Sequence, residues 1–204
     1  MKDIILIGFG GHAKSVIDTI EMSSEFNIIG YTDVENRGLY HGYAWLGNDE
    51  VLNDYFEKGI KHCFICMGYM GKGRVIDSLY KKVKDIGYNL PVIIDKSSVI
   101  SKDVQIGEGS YIGKLSVVNA DSRIGKMCII NTGVIVEHEN LINDFTHVAV
   151  GATLCGRVTI GAHCLVGANS TVIQNTNIAD NTVIGAGAVV VHDVDDGGTF
   201  YGVV

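Results

Sequence analysis

The chain has 204 residues, of which 47% are hydrophobic, enough apolar material for a packed core and too much for a disordered chain. Its formal net charge is −7, with 16 Lys and Arg against 23 Asp and Glu, which argues against nucleic acid as the main partner, because neutralising phosphates needs clustered cations. No apolar run approaches the roughly 18 residues of a membrane span, so no membrane insertion is expected, and five cysteines without framework spacing suit a reducing cytoplasm.

In chain order, residues 1–92 alternate strand-like and helix-like stretches. DIILIGFG, residues 3–10, is a buried apolar run that ends in glycines, too soon broken for a signal peptide. HAKSVIDTIEM follows, with Ala13, Val16, Ile17 and Ile20 at helical spacing. Strand, glycine loop and helix in that order suit an anion: glycines let the backbone approach a phosphate, and the helix N-terminus offers free N–H groups. Gly10, Gly11 and His12 are the candidate phosphate loop. FNIIGYTD, residues 26–33, is a second strand, and Asp33 at its end stands where a Rossmann-like site often places an acid on a ribose hydroxyl. Ala13 replaces the third glycine of the dinucleotide fingerprint, and the α/β pattern stops too early for a full two-lobed fold. Half a nucleotide site is expected, suited to a nucleotide-sugar rather than NAD; the alternative is a turn cluster with no ligand. NDEVLNDYFEKG is a second helix with Asn48 or Asp49 as its N-cap, and KHCFICMG a third strand in which Cys63 and Cys66 read as core. KGRVIDSLYKKVKDIG, residues 72–87, is a third helix, and NLPVIID, residues 89–95, a last strand. Alternating strands and helices predict a small parallel α/β unit.

From Ile94 the period becomes six. Every sixth residue from Ile94 to Val190 is Ile, Val or Leu, seventeen positions in all. Four residues after each stands Ser, Thr, Ala, Cys or Val, with Asn140 as the one exception. A helix needs apolar spacings of three and four and a flat strand a spacing of two, so a strict six predicts short strands joined by tight turns and wound into a prism. Glycines directly after the aliphatic residue, such as Gly107, Gly125 and Gly161, are expected to permit the turn backbone. The organisation read from sequence is an α/β unit over 1–92, an all-β prism over 93–195 and a tail over 196–204.

Within the prism, Glu137-His138-Glu139 sets an imidazole between two carboxylates, with His147 nine residues on. An imidazole can take a proton near neutral pH, since a free histidine has a pKa of about 6.5. A carboxylate on its far ring nitrogen would fix the tautomer and stabilise the imidazolium. Sequence alone leaves Glu137 and Glu139 both open for that role, and a solvated corner is the chemically silent alternative. A three-histidine zinc site is disfavoured, because His138, His147 and His163 are spaced nine and sixteen residues apart, with no close histidine pair among them.

The six-residue period resembles the hexapeptide repeat of left-handed β-helix acyltransferases, in which three hexapeptides form one coil. An N-terminal GxGGH unit fused to such a prism resembles the NeuD- and PglD-type sugar O- and N-acetyltransferases, with the loop at 8–12 and the segment NTGVIVEHE as the most specific parts. The resemblance implies a left-handed helix of roughly five coils, a homotrimer, acetyl-CoA as co-substrate bound in the groove between neighbours, and no metal. It implies His138 as general base with Glu139 as its carboxylate partner, and His147 and Gly156 lining the acetyl-CoA pocket. Gly156, eighteen residues after His138, should stack one coil above it and offer its N–H to the oxyanion. Only five basic residues follow residue 100, and Arg157 and Lys126 are the candidates for the coenzyme A 3′-phosphate. The expected reaction is acetylation of the amine of a nucleotide-linked 4-amino-sugar for surface polysaccharide or glycan. Its rivals are O-acetylation of a sialic acid or glycan sugar, and a silent trimeric scaffold that binds the nucleotide-sugar.

Overall fold

In the computed structural model, which describes residues 1–68 and 75–204, the N-terminal unit runs from Met1 to Ile93 and the second from Ile94 to Val204. The first contains β1 (Lys2–Ile7), α1 (Gly11–Ser23), β2 (Phe26–Thr32), β3 (Trp45–Gly47), α2 (Leu52–Glu57), β4 (His62–Ile65) and α3 (Val75–Ile86). The strands are parallel in the order β3-β2-β1-β4. β1 is central because Ile4, Ile5, Leu6 and Ile7 are all buried, as a strand covered on both faces requires. Helix α1 buries Ala13, Val16, Ile17 and Ile20, the stripe its spacing predicts. Cys63 and Cys66 are buried free thiols, and burial pushes the Cys66 thiol far above its ordinary range, which fits a core role.

Several expectations need correction. The start of the third helix at Lys72–Arg74 lies outside the described residues, and the helix is seen from Val75. Helix α2 has no side-chain cap: Asn48 instead accepts the Glu50 N–H, and Asp49 accepts the Thr32 hydroxyl at 2.7 Å. The strand expected over 89–95 does not extend the α/β sheet as a full strand. Asn89 makes a single bridge to His62, and Ile93–Ile94 becomes the first rung of a prism face, because Pro91 lacks the N–H that a continuous ladder needs. β3 was not foreseen, being three residues long and without alternation. Gly30 admits it: a Cβ there would lie 2.7 Å from the Ala44 carbonyl oxygen.

In the second unit, two-residue strands form three parallel sheets of five, seven and six strands, the seven including the Ile93–Ile94 rung. Paired residues up to Val190 differ by 18 in number, Arg123 with Leu141 and His147 with Leu165 for example, so three hexapeptides make one coil. Five such steps lead from Val99 to Val189, which at about 4.8 Å per rung gives a stack roughly 24 Å tall. Ile112, Ile130, Val148 and Val166 on one face, and Val118, Val136, Leu154 and Val172 on another, fill the interior and are fully buried. Thr199–Phe200, assigned to the tail from sequence, adds a rung beyond Val183–Ile184.

The glycines after the aliphatic residues serve a purpose other than the one expected. Gly107, Gly125 and Gly161 do not have left-handed backbone; a Cβ at Gly107 would lie 2.5 Å from the Lys126 nitrogen of the next coil. Close stacking of coils demands them. The left-handed turn position falls two residues later and is occupied mostly by other residues, among them Asp121, Glu139, Arg157 and Asn175.

Candidate active site

One corner of the prism gathers the expected chemistry. His138 and Gly156 occupy equivalent turn positions in successive coils, and the Arg157 N–H donates to the His138 carbonyl at 3.0 Å to lock that register. Glu139 and Arg157 follow at the left-handed position, with φ of 59° and 60°. The turn resolves the ambiguity between the two carboxylates. Glu139 Oε2 lies 2.9 Å from His138 Nδ1, whereas Glu137 Oε2 accepts the His138 backbone N–H at 3.3 Å. An ionised carboxylate only accepts, so Nδ1 carries the proton and Nε2 keeps its lone pair.

Nε2 faces Gly156. A Cβ added to Gly156 would lie 2.6 Å from Cε1 and 2.7 Å from Nε2 of His138, so the ring occupies space that only glycine leaves open. Glu139 also receives the Arg157 guanidinium, Nε to Oε2 at 3.1 Å. The Arg157 bond, then the His138 bond, hold the Glu139 carboxyl below its usual range, so it stays ionised in mild acid. Arg157, a sequence candidate for a phosphate, is thus engaged with Glu139 through its Nε, while Lys126 lies 3.5 Å from Asp144. A cavity of 340 Å³ opens at this corner, lined by Glu137, His138, Cys155, Gly156, Arg157, Gln174 and Asn175. The 18-residue step that singled out Gly156 from His138 also selects Arg157 from Glu139 and, one coil on, Gln174 and Asn175.

His147 is not part of this cavity. Its rung pairs with Ile129 and Leu165 on another face. The Asn131 amide lies 3.2 Å from His147 Nε2, and Asn131 Oδ1 is already engaged by the Thr132 N–H at 2.8 Å. The amide therefore presents Nδ2 to the ring, Nε2 accepts, and the proton sits on Nδ1, a buried atom without a hydrogen-bond partner among the described residues. Burial lowers the His147 pKa to about 4. Among the described residues no group of three His, Cys, Asp or Glu side chains is placed to hold a metal ion.

The N-terminal unit holds a second cavity, of 690 Å³, at the C-terminal ends of its strands. Connections leave β1 toward β2 on one side and return to β4 on the other, and the crevice at such a reversal is where open α/β sheets bind ligands. Gly10, Gly11, His12 and Asp33 all line it, together with Arg37, Asp49 and Lys82, which sequence reasoning did not select. At Gly10 and Gly11 an added Cβ would meet nothing within 4 Å, so the backbone there is open to an approaching ligand. Asp33 Oδ2 accepts the Phe9 N–H at 2.9 Å and ties the loop to the end of β2. The Phe9 ring stacks on buried Tyr31 with centroids 3.5 Å apart.

Comparison with known proteins identifies the scaffold. The PglD N-terminal domain family matches residues 3–72, and the family called hexapeptide repeat of succinyl-transferase matches residues 157–191. The perosamine N-acetyltransferase of Caulobacter crescentus, solved with CoA and GDP-perosamine, is 32% identical, with a TM-score of 0.94 over 99% of this chain and 94% of its own. The chain belongs to the PglD-type family of sugar acetyltransferases. The acetyltransferase domain of PglB from Neisseria gonorrhoeae is 28% identical, with a TM-score of 0.92 over 99% of this chain and 97% of that one. WeeI of Acinetobacter baumannii, at 23% identity and a TM-score of 0.85, shares the fold. The prism is accordingly the left-handed parallel β-helix of acyltransferases, and the chain is a sugar acetyltransferase that uses acetyl-CoA. Two of the Caulobacter structures are of histidine variants, one to asparagine and one to alanine.

Proposed function

We propose that this sugar acetyltransferase moves the acetyl group of acetyl-CoA to the amine of a nucleotide-linked 4-amino-sugar, with His138 as general base. The observation that carries the reading is the His138 ring itself: Nδ1 bound to Glu139 at 2.9 Å and Nε2 left free beside Gly156. The neutral amine attacks the thioester carbonyl, and the oxyanion that forms is received by the Gly156 N–H. His138 Nε2 removes the ammonium proton, and Glu139 stabilises the resulting imidazolium. Collapse expels the coenzyme A thiolate, which takes that proton back. The products are the N-acetylated sugar and free coenzyme A.

The nucleoside diphosphate is held by the N-terminal unit, its phosphates at the Gly10–Gly11–His12 amides that begin α1 and its ribose at Asp33. The functional unit is a cytoplasmic homotrimer. His147 lies on a different face from His138 in one chain, so the partner's His147 lines the acetyl-CoA groove of its neighbour. The Caulobacter relative was crystallised with GDP-perosamine, which makes that compound the first acceptor to try.

The test is thiol release from acetyl-CoA with GDP-perosamine, uridine- and thymidine-diphosphate 4-amino-sugars, and free and activated sialic acids, beside His138→Ala. Release with an amino-sugar, lost in the variant, is expected. Release with sialic acids alone would reassign the protein to O-acetylation. Silence with retained nucleotide-sugar binding would make it a binding scaffold.

A further inference from the structure

Asn140 is the one break in the column of small residues that the six-residue period sets inside the prism. It is buried, at 1% exposure, and every polar atom it has is used. Its Nδ2 donates to the Glu137 carbonyl at 2.5 Å and to the Cys155 carbonyl at 3.0 Å. Its Oδ1 accepts the Val158 N–H at 3.1 Å, and its own N–H donates to Ser122 Oγ at 3.2 Å. Hydroxyls at equivalent positions reach one carbonyl each: Ser122 takes Glu137 fifteen residues on, and Ser170 takes Gly167 three residues back. Asn140 does both. The two carbonyls it holds belong to the peptide units immediately before His138 and Gly156.

That placement matters because the peptide is trans and planar. With the Cys155 carbonyl drawn into the prism interior, the N–H of the same unit, that of Gly156, must point the opposite way, out to the His138 corner. Among the described residues no acceptor takes that N–H, and no other donor reaches the Cys155 oxygen. Glycine at 156 makes room for the His138 ring but surrenders the steric preference that would otherwise fix the orientation of the 155–156 peptide. A flipped unit is open to it. We propose that Asn140 is a positioning residue, which by holding the Cys155 carbonyl inward aims the Gly156 N–H at the oxyanion.

This inference rests on the reading above, in which the Gly156 N–H receives the oxyanion, and its test separates the two. In the first arm, Asn140→Ala and Asn140→Ser are compared with Thr146→Val. Thr146 is an interior control that holds the Gly161 carbonyl at 2.7 Å and the Cys164 N–H at 3.1 Å in a different column of the prism. Loss of an oxyanion donor costs about 10²–10³ in kcat. Asn140→Ala is expected to lose kcat on that scale with KM and Kd for the nucleotide-sugar within twofold. Asn140→Ser, whose hydroxyl can reach the Cys155 carbonyl as Ser122 reaches Glu137, should recover to within about tenfold of wild type, and Thr146→Val should stay within twofold. The proposal is overturned if Asn140→Ala keeps kcat within threefold, or if kcat falls no further than in Thr146→Val at equal loss of melting temperature. Should Asn140→Ala fail to fold, Asn140→Ser decides: kcat within about tenfold of wild type with the serine hydroxyl on the Cys155 carbonyl supports the proposal, and either wild-type kcat with that carbonyl unheld or a larger kcat loss with it held overturns it. In the second arm, a crystal structure of Asn140→Ala is expected to show the 155–156 peptide flipped or split between two orientations. A single wild-type orientation overturns the proposal even if no acceptor is ever acetylated.

Discussion

Adding one methyl group at Gly156 tests the geometry of the site more sharply than deleting a side chain. In Gly156→Ala the new Cβ would stand 2.6 Å from Cε1 and 2.7 Å from Nε2 of His138. Ordinary carbon contacts begin near 3.5 Å, so the ring must retreat by about 1 Å. It is held on the other side, since Nδ1 is bound to Glu139 at 2.9 Å and Glu139 to Arg157 at 3.1 Å, and retreat strains both bonds. A misplacement of about 1 Å costs roughly 10² in rate where reacting groups must meet. Folding should not suffer, because Gly156 lies outside the left-handed region and alanine there reduces the freedom of the unfolded chain, worth up to about 1 kcal/mol. The expected outcome is a fall of about 10² in kcat/KM for thiol release from acetyl-CoA, at an unchanged or slightly raised melting temperature. Retention of more than a third of wild-type activity would refute the claim that the His138 ring works from this position. A collapse in melting temperature would refute the backbone argument.

Four further outcomes follow from other parts of the site and fold. Glu139→Gln removes the charge that stabilises the imidazolium while keeping the shape, and should lower kcat by about 10–10³ with little change in KM for acetyl-CoA, read by steady-state kinetics. Arg157 and then His138 depress the Glu139 pKa, so its ionised form is kept above that low value and lost only as pH falls through it; Arg157→Ala removes the larger cause and should raise the Glu139 pKa toward its usual range, so that activity falls away at a higher pH on the acid side than in wild type, read from the pH–rate profile. His147 has its pKa lowered to about 4 against roughly 6.5 in an unfolded chain, so its contribution to stability is complete above about pH 6.5 and is lost progressively down to about pH 4, by up to about 3 kcal/mol per chain. Denaturant melts across that range should show a slope that His147→Gln flattens. Leu154 is fully buried in the rung leading to Gly156, and Leu154→Ala should cost about 2–5 kcal/mol, lowering the thermal midpoint by on the order of 10 °C.

The prism was legible because its period is enforced at every coil: one misplaced polar residue among the fully buried Ile, Val and Leu positions would open the interior. The site was legible to the extent that it obeys the same period, which is why eighteen residues separate His138 from Gly156 in sequence and one rung separates them in space. What stayed hidden depends on turn geometry. Whether Glu137 or Glu139 meets the ring is decided by a φ of 59° at Glu139, a value that no residue pattern announces. The glycines were misread for a related reason, since the sequence shows where a side chain is missing but not whether backbone angle or a neighbouring coil forbids it. Short elements escaped as well. β3, Trp45–Gly47, owes its place to Gly30 in another strand, a contact between residues far apart in sequence.

A stacked coil also explains how one corner can carry chemistry without destabilising the rest. The left-handed turn position accepts Leu115, Asp121, Met127, Phe145 and His163 elsewhere in the prism, so its backbone is set by the ladder bonds above and below, not by the residue that fills it. That freedom leaves the position open to whatever side chain the chemistry needs, and Glu139 and Arg157 use it in adjacent coils to orient one imidazole. The interior has no such freedom. There a residue must be small or bond every polar atom it brings, and Asn140 meets the second condition only because its amide spans the same two coils that the corner joins. The corner and the interior are thus coupled through shared peptide units, so a substitution beneath the site is expected to change kcat before it changes the binding of either substrate.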